Sequence, residues 1–374
     1  MKLFQNLILF FLASSVAACK EEYYPKVKSG EQSVLVVEGI LNSGNGPTTI
    51  KLTRTVKLND TIKVRPEVGA QLAVEGENGQ WFLLADTADA GNYSTAQLTL
   101  NPSEKYRIAI TTGDGKQYAS DYVNVVKNPP IDSVSWKRDA NGVQIVVSTH
   151  NQENNTRYYR WEYDETWEIN SSYYANPIPD DGIMAPLYPG ENIYNCWKFY
   201  NSSAIILGTT AQLSSDIVFE KPLIKIEDGN DKLSVRYTVL VRQYAMDKQG
   251  YDFYQLMRKN TESLGGIFDA QPTEITGNVH AITNPTDPVI GYITASTIDT
   301  TRLWITTNEV PGWKPWADCS YHKTLNPMTD NVQDYITDHS WLIYASTRSS
   351  VSIAQGACVS CRIRGGSTHK PAFW

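Results

Sequence analysis

The feature that most constrains this chain is a two-residue alternation of apolar and polar side chains, carried in short runs that each end in a turn cluster. Successive strand residues point to opposite faces, so such runs fit half-buried strands and do not build the stripe of an amphipathic helix. Residues 33–39 form a β-branched run ended by Gly39, and the cluster Asn42-Ser43-Gly44-Asn45-Gly46-Pro47 marks a loop. Alternation resumes at 48–53, where Ile50 and Leu52 face one way and Thr49, Lys51 and Thr53 the other. Residues 70–75 run into Asn78-Gly79, a hairpin signal, and Trp81 opens the return strand.

Further short runs at 91–93, 98–100, 105–110 and 117–120 keep the spacing of an all-β domain. The expected fold is mainly β, with an N-terminal immunoglobulin-like β-sandwich over residues 33–127 followed by a second, larger β-rich domain over 131–374. Lys127-Asn128-Pro129-Pro130 reads as the linker between them. In the second domain, residues 143–147, 157–163 and 233–243 read as strands. Residues 170–203, rich in Tyr, Asn, Pro and Gly, read as a long loop. One or two helices are expected, the clearest over 247–264, where Tyr251, Tyr254, Met257 and Leu264 fall on or near one core-facing side before Gly265-Gly266.

The start of the chain has a different logic. Lys2, an apolar run from Leu3 to Leu12 and the small residues Ala13-Ser14-Ser15-Val16-Ala17-Ala18 lead to Cys19. The apolar run falls short of the ~20 residues a membrane-spanning helix needs. It reads as a signal peptide over 1–18. Val16-Ala17-Ala18-Cys19 resembles a bacterial lipobox, which makes Cys19 the expected lipidation site and residues 19–32 a tether. Lys20-Glu21-Glu22 resembles a surface-export signal, or is a solvated tether.

Composition narrows the function. Lys and Arg total 33 against 40 Asp and Glu, for a net charge of −7 without any basic run, so nucleic acid is not an expected partner. The 22 Tyr and 10 Trp are strand residues in a sheet protein, or line a partner or glycan surface. Beyond Cys19 an even set of cysteines remains: Cys196, Cys319, Cys358 and Cys361. In an exported chain this argues for two disulfides with three possible connectivities. The alternative is a surface hydrolase or zinc-binding protein that uses the cluster Cys319, His322, Cys358 and Cys361.

No serine-elbow, phosphate-loop or His-Glu-x-x-His pattern occurs in the sequence. His150, His280, His322, His339 and His369 stand singly, which fits structural roles, and His322 alone has a neighbouring cysteine. The acid pairs Glu21-Glu22, Asp180-Asp181 and Glu227-Asp228 sit in turn-like contexts. No catalytic residue and no cofactor beyond a covalent lipid is expected.

Several phrases together resemble one family. Gly265-Gly266-Ile267-Phe268-Asp269, Thr276-Gly277-Asn278-Val279, Ile290-Gly291-Tyr292-Ile293 and the tail from Cys358-Val359-Ser360-Cys361-Arg362 to Pro371-Ala372-Phe373-Trp374 are similar to domain of unknown function 4249, a group of Bacteroidota lipoproteins. Tyr158-Tyr159-Arg160-Trp161, Gly91-Asn92-Tyr93 and Tyr106-Arg107-Ile108 fit it too. Ser360 departs from the family pattern, where an acidic residue is frequent between the last two cysteines. The resemblance implies a lipid-anchored outer-membrane protein, facing the cell surface beside a TonB-dependent receptor, that aids nutrient capture or receptor assembly without being an enzyme. The aromatic pair Phe373-Trp374 is expected to dock into the body as a plug.

Overall fold

A computed structural model describes residues 33–56, 61, 64–87, 90–175, 192–262, 275–313, 318–336 and 340–374. Its strands are β1 (Leu35–Asn42), β2 (Pro47–Arg54), β3 (Arg65–Pro66), β4 (Gln71–Gly76), β5 (Trp81–Asp86), β6 (Asn92–Gln97), β7 (Lys105–Thr111), β8 (Gln117–Ser120) and β9 (Val123–Val126). There follow β10 (Ile131–Asp139), β11 (Gly142–Asn151), β12 (Tyr158–Asn170), β13 (Asn195–Asn201), β14 (Ile206–Thr209), β15 (Asp216–Glu227) and β16 (Arg236–Met246). The last are β17 (Val279–Ala281), β18 (Val289–Gly291), β19 (Thr294–Ser296), β20 (Ile298–Thr306), β21 (His322–Leu325), β22 (Trp341–Ser346) and β23 (Val351–Gln355). Three helices accompany them: α1 (Lys248–Glu262), α2 (Val332–Ile336) and α3 (Gly356–Val359). The chain is mainly β, as the alternation requires.

The N-terminal strands over 33–127 do not complete their sheet alone. Their sheet closes on itself in the order β1, β2, β6, β5, β4, β7, β9, β19 and back to β1. Closure depends on a distant segment: β18 and then β19 pair in parallel with successive halves of β1, and β19 also pairs with β9. The interior is filled by the residues the alternation turned inward, including Ile50, Leu52, Val74, Tyr93, Ile108 and Ile293. Burying each aliphatic side chain of this kind contributes about 1.5–3 kcal/mol.

Two of the family-like phrases are explained by this closure. A Cβ on Gly277 would meet the Gly291 carbonyl oxygen at 1.7 Å, and one on Gly291 would meet that of Val37 at 2.6 Å. Only glycine permits those backbones to approach. Asn278 then fastens the turn, donating from Nδ2 to the Ile293 carbonyl at 2.9 Å while its Oδ1 accepts from the Ile293 N–H at 2.8 Å.

The second body is a sandwich. A sheet in the order β10, β11, β15 packs against one in the order β13, β12, β16, β20, with β14 also paired to β12. Val143, Ile145, Val147 and Ile226 meet Tyr159, Trp161, Tyr237, Val239 and Val241 in its core. A third, small sheet in the order β21, β23, β22 carries α2 and α3 beside it.

The linker expected at 127–130 is part of this core. Asn128 and Pro129 are buried. Gln243, wholly inaccessible on β16, donates from Nε2 to the Pro129 carbonyl at 2.9 Å and to Thr149 Oγ1 at 3.1 Å. Its Oε1 accepts from Trp161 Nε1 at 2.9 Å, and Asn128 Nδ2 donates to its backbone carbonyl at 2.9 Å. The loop expected over 170–203 is also shorter than its composition implied, because β12 runs to Asn170 and β13 occupies Asn195–Asn201. The expected helix is α1, which buries Phe253 most deeply and leaves Tyr251, Tyr254 and Met257 half-buried. Leu264 and Gly265-Gly266 lie outside the described residues.

Candidate functional site

Cys319 bonds to Cys358 and Cys196 bonds to Cys361. A sulfur held in a disulfide is not a thiolate donor, so the zinc set of Cys319, His322, Cys358 and Cys361 is not assembled. His322 instead lies in an aromatic cluster beside the Cys319–Cys358 bridge. Its Nδ1 is 3.3 Å from the Tyr173 hydroxyl, its ring meets Tyr173 and Tyr344, and the Tyr173 hydroxyl donates to the Cys319 carbonyl.

The other single histidines are surface partners of ordinary kind. His150 meets Asp132 at 2.8 Å and His280 meets Asp121 at 3.1 Å, both exposed. His369 is an exposed residue of the tail. Of the acid pairs, Glu227 ends β15 and Asp228 lies 4.0 Å from Arg138. Cys19, His339, Glu21-Glu22 and Asp180-Asp181 lie outside the described residues.

Of the expected plug, Trp374 docks and Phe373 stays exposed. The Trp374 ring packs edge-on against Trp304 at 5.0 Å and Trp197 at 6.4 Å, and its Nε1 donates to Glu168 at 3.3 Å. Arg236 lies over both Trp304 and Trp374, and Arg302 lies over Phe373 at 4.2 Å. Trp374 is half-buried, whereas Phe373 keeps 48% of its surface exposed.

Among the described residues, a cleft suited to a ligand was not foreseen. A cleft of about 890 Å³ opens between the closed barrel and the outward face of the β12–β16–β20 sheet. One wall comes from β1, the start of β2 and β18, and includes Glu38, Thr49 and Lys51. The other comes from Arg160 and Glu162 of β12, Arg242 and Tyr244 of β16, and Ile298 and Thr300 of β20. Phe253, Tyr254 and Met257 of α1 close one end, and Ser202 and Ser203 line the approach.

Strand alternation explains why polar groups gather there. Tyr159, Trp161 and Tyr163 point into the sandwich core, so Arg160 and Glu162 must point to the opposite face. Cross-strand register then aligns Arg160 with Tyr244, and Glu162 with Arg242 and through it Thr300. Glu38 and Lys51 are paired opposite one another on the barrel wall.

Arg160 is the fixed point of the site. Its guanidinium carbon lies 4.8 Å from the Tyr244 ring centre and 4.4 Å from that of Tyr254, so two aromatic faces hold it. Its Nη2 is 3.1 Å from Glu162, whose other oxygen accepts from the Tyr244 hydroxyl at 2.7 Å. Burial opposes the charge, but Tyr254, Glu162, Tyr244 and Glu38 outweigh it and raise the Arg160 pKa above its ordinary value. Burial, with Glu162 beside it, likewise raises the Tyr244 phenol well above its usual range and keeps it a hydrogen-bond donor. Arg242 is matched by Asp164. At the far end Asp247 accepts from the Gly250 N–H at 2.8 Å and from the Tyr292 hydroxyl at 3.3 Å, fixing α1 against the barrel.

Fold and site together define a mainly β, disulfide-braced protein with a polar cleft between a closed sheet and a sandwich. The chain belongs to the family described as domain of unknown function (DUF4249), whose model matches residues 20–302. That span includes the whole cleft. No curated protein matches the chain in sequence. Among solved structures it is similar to a two fibronectin type-III domain segment from chicken tenascin, at 14% identity over 57% of this chain and 90% of that one, with a TM-score of 0.17. It is also similar to a structure titled as complete manganese lipoxygenase of Gaeumannomyces graminis and partial zonadhesin of Komagataella pastoris. There the identity is 9%, over 58% of this chain and 90% of that one, with a TM-score of 0.16.

The signal that could have revealed the site was present in one place. A strand that alternates large aromatics with Arg160 and Glu162 buries its aromatics and gathers its charges on one face. Nothing local indicated that the barrel wall would stand opposite that face.

Proposed function

We propose that this chain is an exported, lipid-anchored binding protein of the outer membrane, non-enzymatic, that presents the cleft to a ligand and works beside a TonB-dependent receptor. The observation that carries the binding role is the guanidinium of Arg160, set between two tyrosines in a cleft large enough for a small organic molecule. Two disulfides support export, because such bonds form and persist in oxidising compartments. The lipobox-like Val16-Ala17-Ala18-Cys19 supports the anchor. Resemblance to surface lipoproteins supports the receptor partner and a Bacteroidota-type outer membrane.

The test is co-purification. The full chain, extracted from its own membranes in mild detergent, is expected to bring down a large β-barrel receptor in near-stoichiometric amount. Recovery of the chain alone as a monomer would overturn the receptor role.

A further inference from the structure

We infer that the cleft recognises a carboxylate on its ligand and that Arg160 is the residue that reads it, an inference that rests on the binding role proposed above. Among the described residues Arg160 makes one ion-pair contact and two ring contacts but no hydrogen bond, and its Nε is buried without a partner. A guanidinium carries five N–H donors in a planar fork that matches a carboxylate. Nε has essentially no exposed surface, so a ligand in the cleft must use the other guanidinium N–H groups. The side chain keeps 15% of its surface open, on a cleft wall.

The fork is held ready. Tyr244 and Tyr254 cover it, and the ion pair with Glu162 fixes its rotation. Ligand binding therefore does not have to order a long flexible side chain.

The charge around it favours one negative charge over two. Lys51, Arg160 and Arg242 line the cleft against Glu38 and Glu162, and Arg242 is already matched by Asp164. A phosphate dianion would meet both glutamates with too little positive charge to balance it, whereas a carboxylate adds a single charge to the unspent donors of Arg160. Asn45, Thr49, Ser202, Ser203 and Thr300 supply neutral hydroxyl and amide groups for the rest of the ligand. A volume of about 890 Å³ holds two sugar rings or a short peptide. The carboxylate could thus come from a sugar acid or from a peptide C-terminus.

Calorimetric titration of the full chain in detergent distinguishes the two sources, with galacturonate, which carries a single carboxylate, as one probe and triglycine as the other. At least one acid is expected to bind, and its methyl ester to bind about tenfold to a hundredfold more weakly, the worth of a hydrogen bond to a charged group. Arg160→Lys keeps the charge but removes the fork, and is expected to weaken the acid by about tenfold or more. If that variant does not fold, the comparison of acid with ester on the unaltered chain still decides. Binding of galacturonate alone assigns the site to sugar acids, and binding of triglycine alone assigns it to peptide termini. Failure of both acids to bind, or equal binding of acid and ester, overturns the inference. That result would leave receptor co-purification untouched, so the two readings fail separately.

Discussion

Removing the Cys196–Cys361 bridge is expected to be strongly destabilising for the sandwich. The bonded residues are 165 apart in sequence, and both are fully buried. The Cys319–Cys358 bridge lies within that loop and shortcuts 39 residues of it. With the inner bridge intact, the effective loop is roughly 125 residues, and its closure entropy corresponds to about 5 kcal/mol. The inner bridge alone, closing a loop of about 40 residues, corresponds to about 4 kcal/mol. Paired alanines are the right replacement, because serine would add buried hydroxyls that need partners. Urea unfolding of the oxidised full chain, followed by tryptophan fluorescence, reports on the sandwich through the buried Trp161, Trp167 and Trp197. Cys196→Ala with Cys361→Ala should lose about 5 kcal/mol, a large part of an ordinary domain's stability. A loss below about 1 kcal/mol would refute the claim that this bridge constrains the unfolded chain.

Two smaller perturbations test the packing. Gln243→Leu leaves the Trp161 indole N–H and the Pro129 carbonyl without their buried partner. It should cost about 2–4 kcal/mol by calorimetry, and an unchanged melting temperature would show that the linker is not held through this residue. Deleting residues 371–374 removes the Trp374 contacts with Trp304, Trp197 and Glu168. It should lower stability by about 2 kcal/mol, and identical melting would show that the docked tail contributes nothing.

The parts of this fold that were legible in sequence are those set by local alternation. Ile50 and Leu52 are buried while Thr49 is exposed, and the strand expected over 233–243 appears as β16, shifted to Arg236–Met246 behind a 3-10 turn at Asp231–Leu233. Closure of the barrel was not legible, because β1 at Leu35–Asn42 pairs with β18 and β19 near residue 290. Strand periodicity specifies a face and carries no information about a partner so far along the chain. Pro129 and Pro130 punctuated the chain correctly as a connection, but the burial of Pro129 depends on Gln243, more than a hundred residues later. Cysteine count gave an even set, and only three-dimensional proximity chose Cys196 with Cys361 over the neighbouring Cys358. The cleft was hidden for the same reason: Lys51, Arg160, Tyr244, Tyr254 and Thr300 come from separate elements.

The proposed lipid anchor outside the cytoplasm underlies the proposed choice of partner, and that proposal makes a direct statement about one atom. Mass spectrometry of the N-terminal peptide, after growth with labelled palmitate, is expected to find cleavage after Ala18 and acyl chains on Cys19. A Cys19→Ser form is expected to leave the membrane fraction. An unlabelled Cys19, together with a Cys19→Ser form that stays on the membrane, would contradict the account.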